Sequence, residues 1–264
     1  MSRASVNRLR AVSIAETLTC EKGIVDLWYY YYEDTNAELV AAHEALLTPD
    51  ECDRYKRFHF DRDRRLFLAT RALVRTVLSG YSAVSPGEWR FAASEHGKPL
   101  ISAPAVTPRI HFNLANTPGL VVCVVSVAHE LLGVDAERID REVEAVALAE
   151  RYFSGSEVRK LRALPVDQQQ GRFFAYWTLK ESYIKARGLG LALPLDQFSF
   201  HVEDEISVEF DTRLADDATS WRFALLDAPH HTIAISVNTN RTALSLRATR
   251  VVPLSGVVEW PGVS

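Results

Sequence analysis

Apolar positions recur along this chain with two periods, and the places where one gives way to the other mark out its elements. Residues 24–32, IVDLWYYYY, are β-branched and aromatic throughout and predict a strand. A helix is expected to open at TPDE, residues 48–51, where Thr48 and Glu51 have the capping-box spacing and Pro49 takes the first helical position. RRLFLATRALVRTVL then continues with helical periodicity to Gly80. The period shortens in EWRFAAS, RIHFNLA and LVVCVVSVA, which are separated by HGKP, Pro108 and TPG and predict a small antiparallel sheet.

LLGVDAE, residues 131–137, starts the series again. A helix over AVALAERYF, a second after Ser154 with Glu157 at the capping-box position, and a long third from Phe173 to a stop at Gly188 precede the strands FSFHVE, SVEF, WRFALL and TIAISV. Helices followed by a sheet therefore occur twice, with the break near residues 127–132. The expected fold is α+β: two pseudo-symmetric subdomains, residues 1–130 and 131–264, each with helices on a small, mostly antiparallel sheet. No Gly-, Ser- or Pro-rich linker separates them, which predicts halves packed across a cleft.

One residue breaks the pattern of the long helix. At 100° per residue Glu181 lies roughly 40° from Trp177 and roughly 60° from Ile184, so a carboxylate shares the apolar stripe. A solvated Glu181–Lys185 pair at i,i+4 would explain it without function. A second acidic pair stands in GVDAERID, where Asp135 and Glu137 are two apart on a strand and so share a face. They can turn into solvent beside Arg138 and Arg141, or they can hold a cation; oxygen ligands without nearby Cys or His suit a hard ion such as Mg²⁺. Glu181, facing the sheet of the same subdomain, would supply a third ligand. Because Mg²⁺ commonly takes phosphate oxygens, basic groups are expected nearby: Lys180 and Lys185 beside Glu181, Lys98 in HGKP, and some of the arginines in RYKRFHFDRDRR, most of which would form a solvated helix face.

Composition narrows the function classes. The 264 residues carry 30 Lys and Arg against 34 Asp and Glu, a net charge of −4 that argues against a general nucleic-acid binder. Cys20, Cys52 and Cys123 are widely spaced and include no CxxC, so neither a disulfide framework nor a zinc site is indicated. The basic N-terminus has no continuous apolar core, and the longest apolar run, GLVVCVVSVA, falls well short of the roughly 20 residues of a membrane span. A cytoplasmic protein without membrane association is expected. Neither GxxxxGK[ST] nor GxGxxG occurs, which removes P-loop and Rossmann nucleotide sites.

Together, HGKP, HFNLANT, GVDAE and, some forty residues later, WTLKESYIKARGLGL resemble the 4′-phosphopantetheinyl transferases of the surfactin-synthetase-activating type. The resemblance implies an enzyme that moves the phosphopantetheine arm of coenzyme A, with Mg²⁺, to a serine of an apo acyl or peptidyl carrier protein, releasing adenosine 3′,5′-bisphosphate. It implies Asp135, Glu137 and Glu181 as metal ligands, Lys185 on the pyrophosphate, and Arg54, His96, Lys98, Asn113 and Asn116 among the coenzyme contacts, Arg54 at the 3′-phosphate. Glu157 matches a glutamate proposed to accept the serine proton, although its capping-box position already gives it a structural reason. A monomer with an internal pseudo-two-fold is expected. The chain departs from the pattern at Ala115 and Asn116, where Ser or Thr and His are usual, and at Glu51, where some members have a second basic residue. The alternative is a noncatalytic module that binds coenzyme A or a carrier protein.

Overall fold

The computed structural model describes residues 23–258; Cys20 and the basic N-terminal segment lie outside the described residues. The chain begins with β1 (Ile24–Tyr31), followed by α1 (Ala37–Glu44), α2 (Pro49–Arg57) and α3 (Asp61–Gly80). The capping box forms as the sequence predicts: Thr48 accepts from the Glu51 backbone, and Glu51 Oε2 accepts from the Thr48 backbone at 3.0 Å. β2 (Arg90–Ala93) and β3 (Pro99–Ala103) make a hairpin of their own, and β4 (His111–Thr117) pairs with β5 (Leu120–Ser126), which in turn pairs with β1.

A second compact unit holds Leu131–Leu244. It comprises β6 (Leu132–Arg138), α4 (Ala145–Tyr152), α5 (Gly155–Arg162), α6 (Val166–Arg187), a hairpin of β7 (Phe198–His201) and β8 (Ser207–Phe210), then β9 (Trp221–Ala228) and β10 (His231–Asn238). Its main sheet has the order β6-β10-β9, antiparallel throughout. The α+β class, with several small and mostly antiparallel sheets in two halves, is the one expected. No helix of the described residues is long and apolar enough to cross a membrane.

The expected boundary at residue 264 is corrected. From Ser245 on the chain returns to the first unit. There β11 (Ser245–Val252) runs parallel to β1, and β12 (Gly256–Val258) closes the edge, giving the order β12-β11-β1-β5-β4. A buried ion pair secures the return. Asp26 on β1, 1% exposed, takes both Arg247 Nε at 2.6 Å and Arg247 NH2 at 2.9 Å, and a third donor, Tyr81 Oη, at 2.6 Å. Bidentate geometry with an additional hydrogen bond is what makes a carboxylate tolerable at such depth.

The second unit is organised by α6. Phe173, Phe174, Tyr176, Leu179, Tyr183 and Ile184 are buried along it, each worth about 1.5–3 kcal/mol of burial. Gly188, with φ of 66°, ends it in the left-handed conformation that glycine accepts without strain. The helix lies on β6 at unusually close range: a Cβ built at Gly133 would stand 2.1 Å from the Ser182 carbonyl oxygen and 2.4 Å from the Ala186 nitrogen. Beside this contact Ser182 Oγ and Ser236 Oγ, both fully buried, share a 2.6 Å hydrogen bond that ties α6 to β10.

Gly133→Ala must push α6 off β6, since both obstructing atoms are backbone. The expected cost is about 3 kcal/mol in chemical denaturation, at the upper end for overpacking. An unfolding midpoint equal to wild type would contradict this packing.

Candidate functional site

The acids singled out in the sequence meet on the seam between α6 and β6. Alternation along β6 puts Asp135 and Glu137 on one face, and Glu181 and Lys185 immediately precede Ser182 and Ala186, the two α6 residues whose backbone lies against Gly133. Lys185 does not pair with Glu181. Its Nζ donates to Asp135 Oδ1 at 2.7 Å, so a solvated i,i+4 pair no longer accounts for Glu181. Of the two arginines that could neutralise the strand acids, Arg141 reaches Glu137 at 3.0 Å, whereas Arg138 turns to Asp140.

This grouping is electrostatically costly. Burial pushes the Asp135 carboxyl above its usual range, against the opposing pull of Lys185. Burial also raises Glu181, with the neighbouring Asp135 adding to the shift, and it raises Glu137 in the same way. Asp135 Oδ2 is enclosed without a hydrogen-bond partner, and such an orphaned atom costs roughly 1–3 kcal/mol. The donor set fits a hard divalent cation. Among the described residues no group of three or more Asp, Glu, His or Cys side chains is placed to hold a metal ion by itself. An ion here would therefore complete its shell with water and phosphate oxygens, as Mg²⁺ prefers.

A fully buried Lys–Glu pair in the same unit is built differently. Lys180, expected to turn toward the phosphates, is fully buried on the other side of α6. Its Nζ donates to the Leu195 carbonyl at 2.7 Å and lies 2.8 Å from Glu157 Oε2, over the Phe198 ring. Glu157 is 1% exposed and also accepts from the Ser154 backbone, the Ser154 hydroxyl and the Phe200 backbone. Here every group has its partner.

The residues expected to contact the coenzyme lie in the first unit. Arg54 is exposed on α2 with its guanidinium 5.2 Å from the Phe67 ring centroid. His96 is exposed in the β2–β3 turn, where Gly97 has a φ of 82°. Lys98 is half-buried, and burial lowers its pKa against the pull of Glu130. Asn113 is only 3% exposed, so it belongs to the packed strand rather than to a ligand surface. Asn116 is exposed, and its Nδ2 donates to Thr70 Oγ1 on α3 at 3.3 Å. Sequence reasoning missed the cleft of about 480 Å³ that Arg54 shares with Glu51, Arg71, Arg75 and Arg90. The available signal was Arg71 and Arg75 at i,i+4 among apolar residues of α3.

Comparison with known proteins agrees with both halves. Residues 131–237 match the 4′-phosphopantetheinyl transferase superfamily, and residues 32–128 match the N-terminal domain of 4′-phosphopantetheinyl transferases. The 4′-phosphopantetheinyl transferase HetI of Nostoc sp. is 36% identical over 66% of this chain and 73% of its own length. The chain belongs to the 4′-phosphopantetheinyl transferase family. Sfp of Bacillus subtilis strain 168 is 32% identical over 62% of this chain and 71% of its own length. A phosphopantetheinyl transferase of Thraustochytrium sp. is 30% identical over 71% and 69%. The solved holo-[acyl-carrier-protein] synthase of Thermotoga maritima aligns at a TM-score of 0.34 and 20% identity, over 42% of this chain and 63% of that one, too low to add to the argument. As a phosphopantetheinyl transferase the chain is an enzyme, and its family uses coenzyme A and carrier proteins.

The two glutamates on these networks should respond oppositely to the same change. Glu157→Gln leaves Lys180 buried without a counter-charge and should cost about 3 kcal/mol or more, read by denaturation. Glu181→Gln, in a chelator, should raise the melting temperature near pH 8. Because the folded Glu181 has a raised pKa, the folded chain holds more protons than the unfolded one just above the ordinary carboxylate range, and stability falls as pH rises through it. The advantage of the glutamine variant should therefore shrink toward pH 5. An advantage that grows on acidification would contradict the assignment.

Proposed function

We propose that this transferase moves the 4′-phosphopantetheine arm of coenzyme A to a serine of an apo acyl or peptidyl carrier protein, with Mg²⁺ held by Asp135, Glu137 and Glu181 and adenosine 3′,5′-bisphosphate as the second product. The observation that supports this reading most is the enclosed, partnerless Asp135 Oδ2 beside Lys185. A bound Mg²⁺ would neutralise phosphate oxygens as charge gathers on the leaving group.

The chain's own groups do the rest. Lys185 has three N–H donors, of which Asp135 takes one, leaving two for pyrophosphate oxygens. Asp135 orients the ammonium, so that it meets developing negative charge without reorganising. Glu157, enclosed and saturated with donors, holds α5 to β7 and Lys180 in this reading and leaves the serine proton to solvent at the site. Asn116 replaces an imidazole by an amide, which donates hydrogen bonds at any ordinary pH. Arg54, His96 and Lys98 supply further coenzyme contacts.

Incubation with coenzyme A, Mg²⁺ and a panel of apo carriers should add one phosphopantetheine mass to at least one carrier. A protein that only holds coenzyme A or a carrier would add none. Lys185→Met should lower kcat at least roughly a hundredfold with little change in KM for coenzyme A, since its work is on charge formed in the transition state. A rise in KM alone would make Lys185 a binding residue.

A further inference from the structure

The last turn of α6 is held on two faces. One is the seam with β6. The other meets a single carboxylate, that of Asp216, in the loop between β8 and β9. Tyr183 Oη donates to Asp216 Oδ2 at 2.6 Å. Arg187 NH1 donates to the same carboxylate oxygen and, at 2.8 Å, to the Tyr183 hydroxyl. Trp221 Nε1 at 3.1 Å and the Asp217 backbone at 2.8 Å donate to Asp216 Oδ1. Both carboxylate oxygens and the Tyr183 hydroxyl are thereby met. Tyr183 and Trp221 are buried, their ring centroids 4.9 Å apart. The loop is braced in its turn, since the Asp217 carboxylate accepts from Thr219 Oγ1 at 2.6 Å and from Ser220 Oγ and Arg241 NH2, each at 2.9 Å.

Tyr183 and Arg187 are four apart and share one face of the helix. Lys185, at 100° per residue, stands roughly 160° around the axis from Tyr183. The clamp therefore grips the face opposite the one on which Lys185 meets Asp135. On that opposite face Asp135 and Glu137 repel Glu181, and a helix end lacks the backbone hydrogen bonds that would resist fraying. We propose that Asp216 is a positioning residue for the transfer: through Tyr183 and Arg187 it fixes the roll of the last turn of α6 and so the direction in which Lys185 presents its ammonium. This rests on the reading of Lys185 as the pyrophosphate cation. Two of the three proposed metal ligands, Asp135 and Glu137, stand on β6, so the clamp bears on Lys185 more than on the affinity for metal.

Two variants open the clamp with little change of shape. Tyr183→Phe keeps the ring among Phe198, Phe210 and Trp221 and deletes the hydroxyl, and Asp216→Asn removes the charge. Each should lower kcat for carrier modification roughly tenfold and leave KM for coenzyme A unchanged. The double variant should be no slower than the slower single one, because both changes break one clamp. Asp216→Glu, which keeps the charge, should recover part of the rate. Mn²⁺ affinity should stay within about twofold of wild type in every variant. Amide hydrogen exchange read by mass spectrometry follows the clamp without turnover: residues 183–188 should exchange at least roughly tenfold faster in both single variants, with residues 173–180 unchanged. Unchanged exchange at the helix end, or faster exchange with kcat unaltered, overturns the proposal. So does a rise in KM alone, or a parallel loss of kcat and Mn²⁺ affinity, which would mean that the whole seam has loosened. If wild type modifies no carrier, the proposed function fails, while the exchange measurement still decides whether Asp216 holds the helix end.

Discussion

Helix α6 can rest on β6 only where the strand has no side chain, and Gly133 provides that gap. With the Ser182 carbonyl and the Ala186 nitrogen against the strand backbone, the residues on either side of the contact have no freedom to choose their neighbours. Two positions along β6 comes Asp135; one turn along α6 comes Lys185; the 2.7 Å bond between them follows from the packing. The Ser182–Ser236 hydrogen bond fixes the same helix to the next strand. A site that must gather three carboxylates gains from being built on rigid elements rather than loops, because their mutual repulsion would otherwise spread them apart.

Two buried Lys–Glu or Lys–Asp arrangements on one helix separate structure from chemistry. Lys180 and Glu157 satisfy each other with backbone and hydroxyl groups filling every remaining position. The Lys185–Asp135 pair leaves a carboxylate oxygen unmet, and burial, with Asp135 adding to it against the pull of Lys185, raises the pKa values of two neighbouring glutamates. Satisfied buried charges rigidify a core. Unsatisfied ones, placed where a charged ligand can enter, store a cost that binding removes.

Much of this was legible in the sequence because the signals are local. Strand alternation placed Asp135 and Glu137 together, the helical period exposed Glu181 as a misfit, and capping boxes gave the starts of α2 and α5. The direction of Lys180 was not legible, since it depends on the carbonyls at Leu195 and Phe198 that the chain brings back later. Nor was β11, whose partner β1 lies far back in the sequence and runs parallel to it; SLRATRVV has no alternation that announces a buried strand. Nor was the ion pairing of Arg71 and Arg75 on α3, which both meet Glu51, a residue the sequence marks as a helix cap and as a departure from the family pattern. Asn113 was matched to a coenzyme contact by its motif, but its place in β4 turns it inward.

The claim on which the account stands is that the α6–β6 seam binds a divalent cation through its own carboxylates. Titration of wild type and Asp135→Ala with Mn²⁺, followed by electron paramagnetic resonance as a visible stand-in for Mg²⁺, tests it without reference to turnover. The account predicts one ion per chain in wild type and at least a roughly tenfold weaker site in the variant. Equal affinity in the two proteins would contradict it.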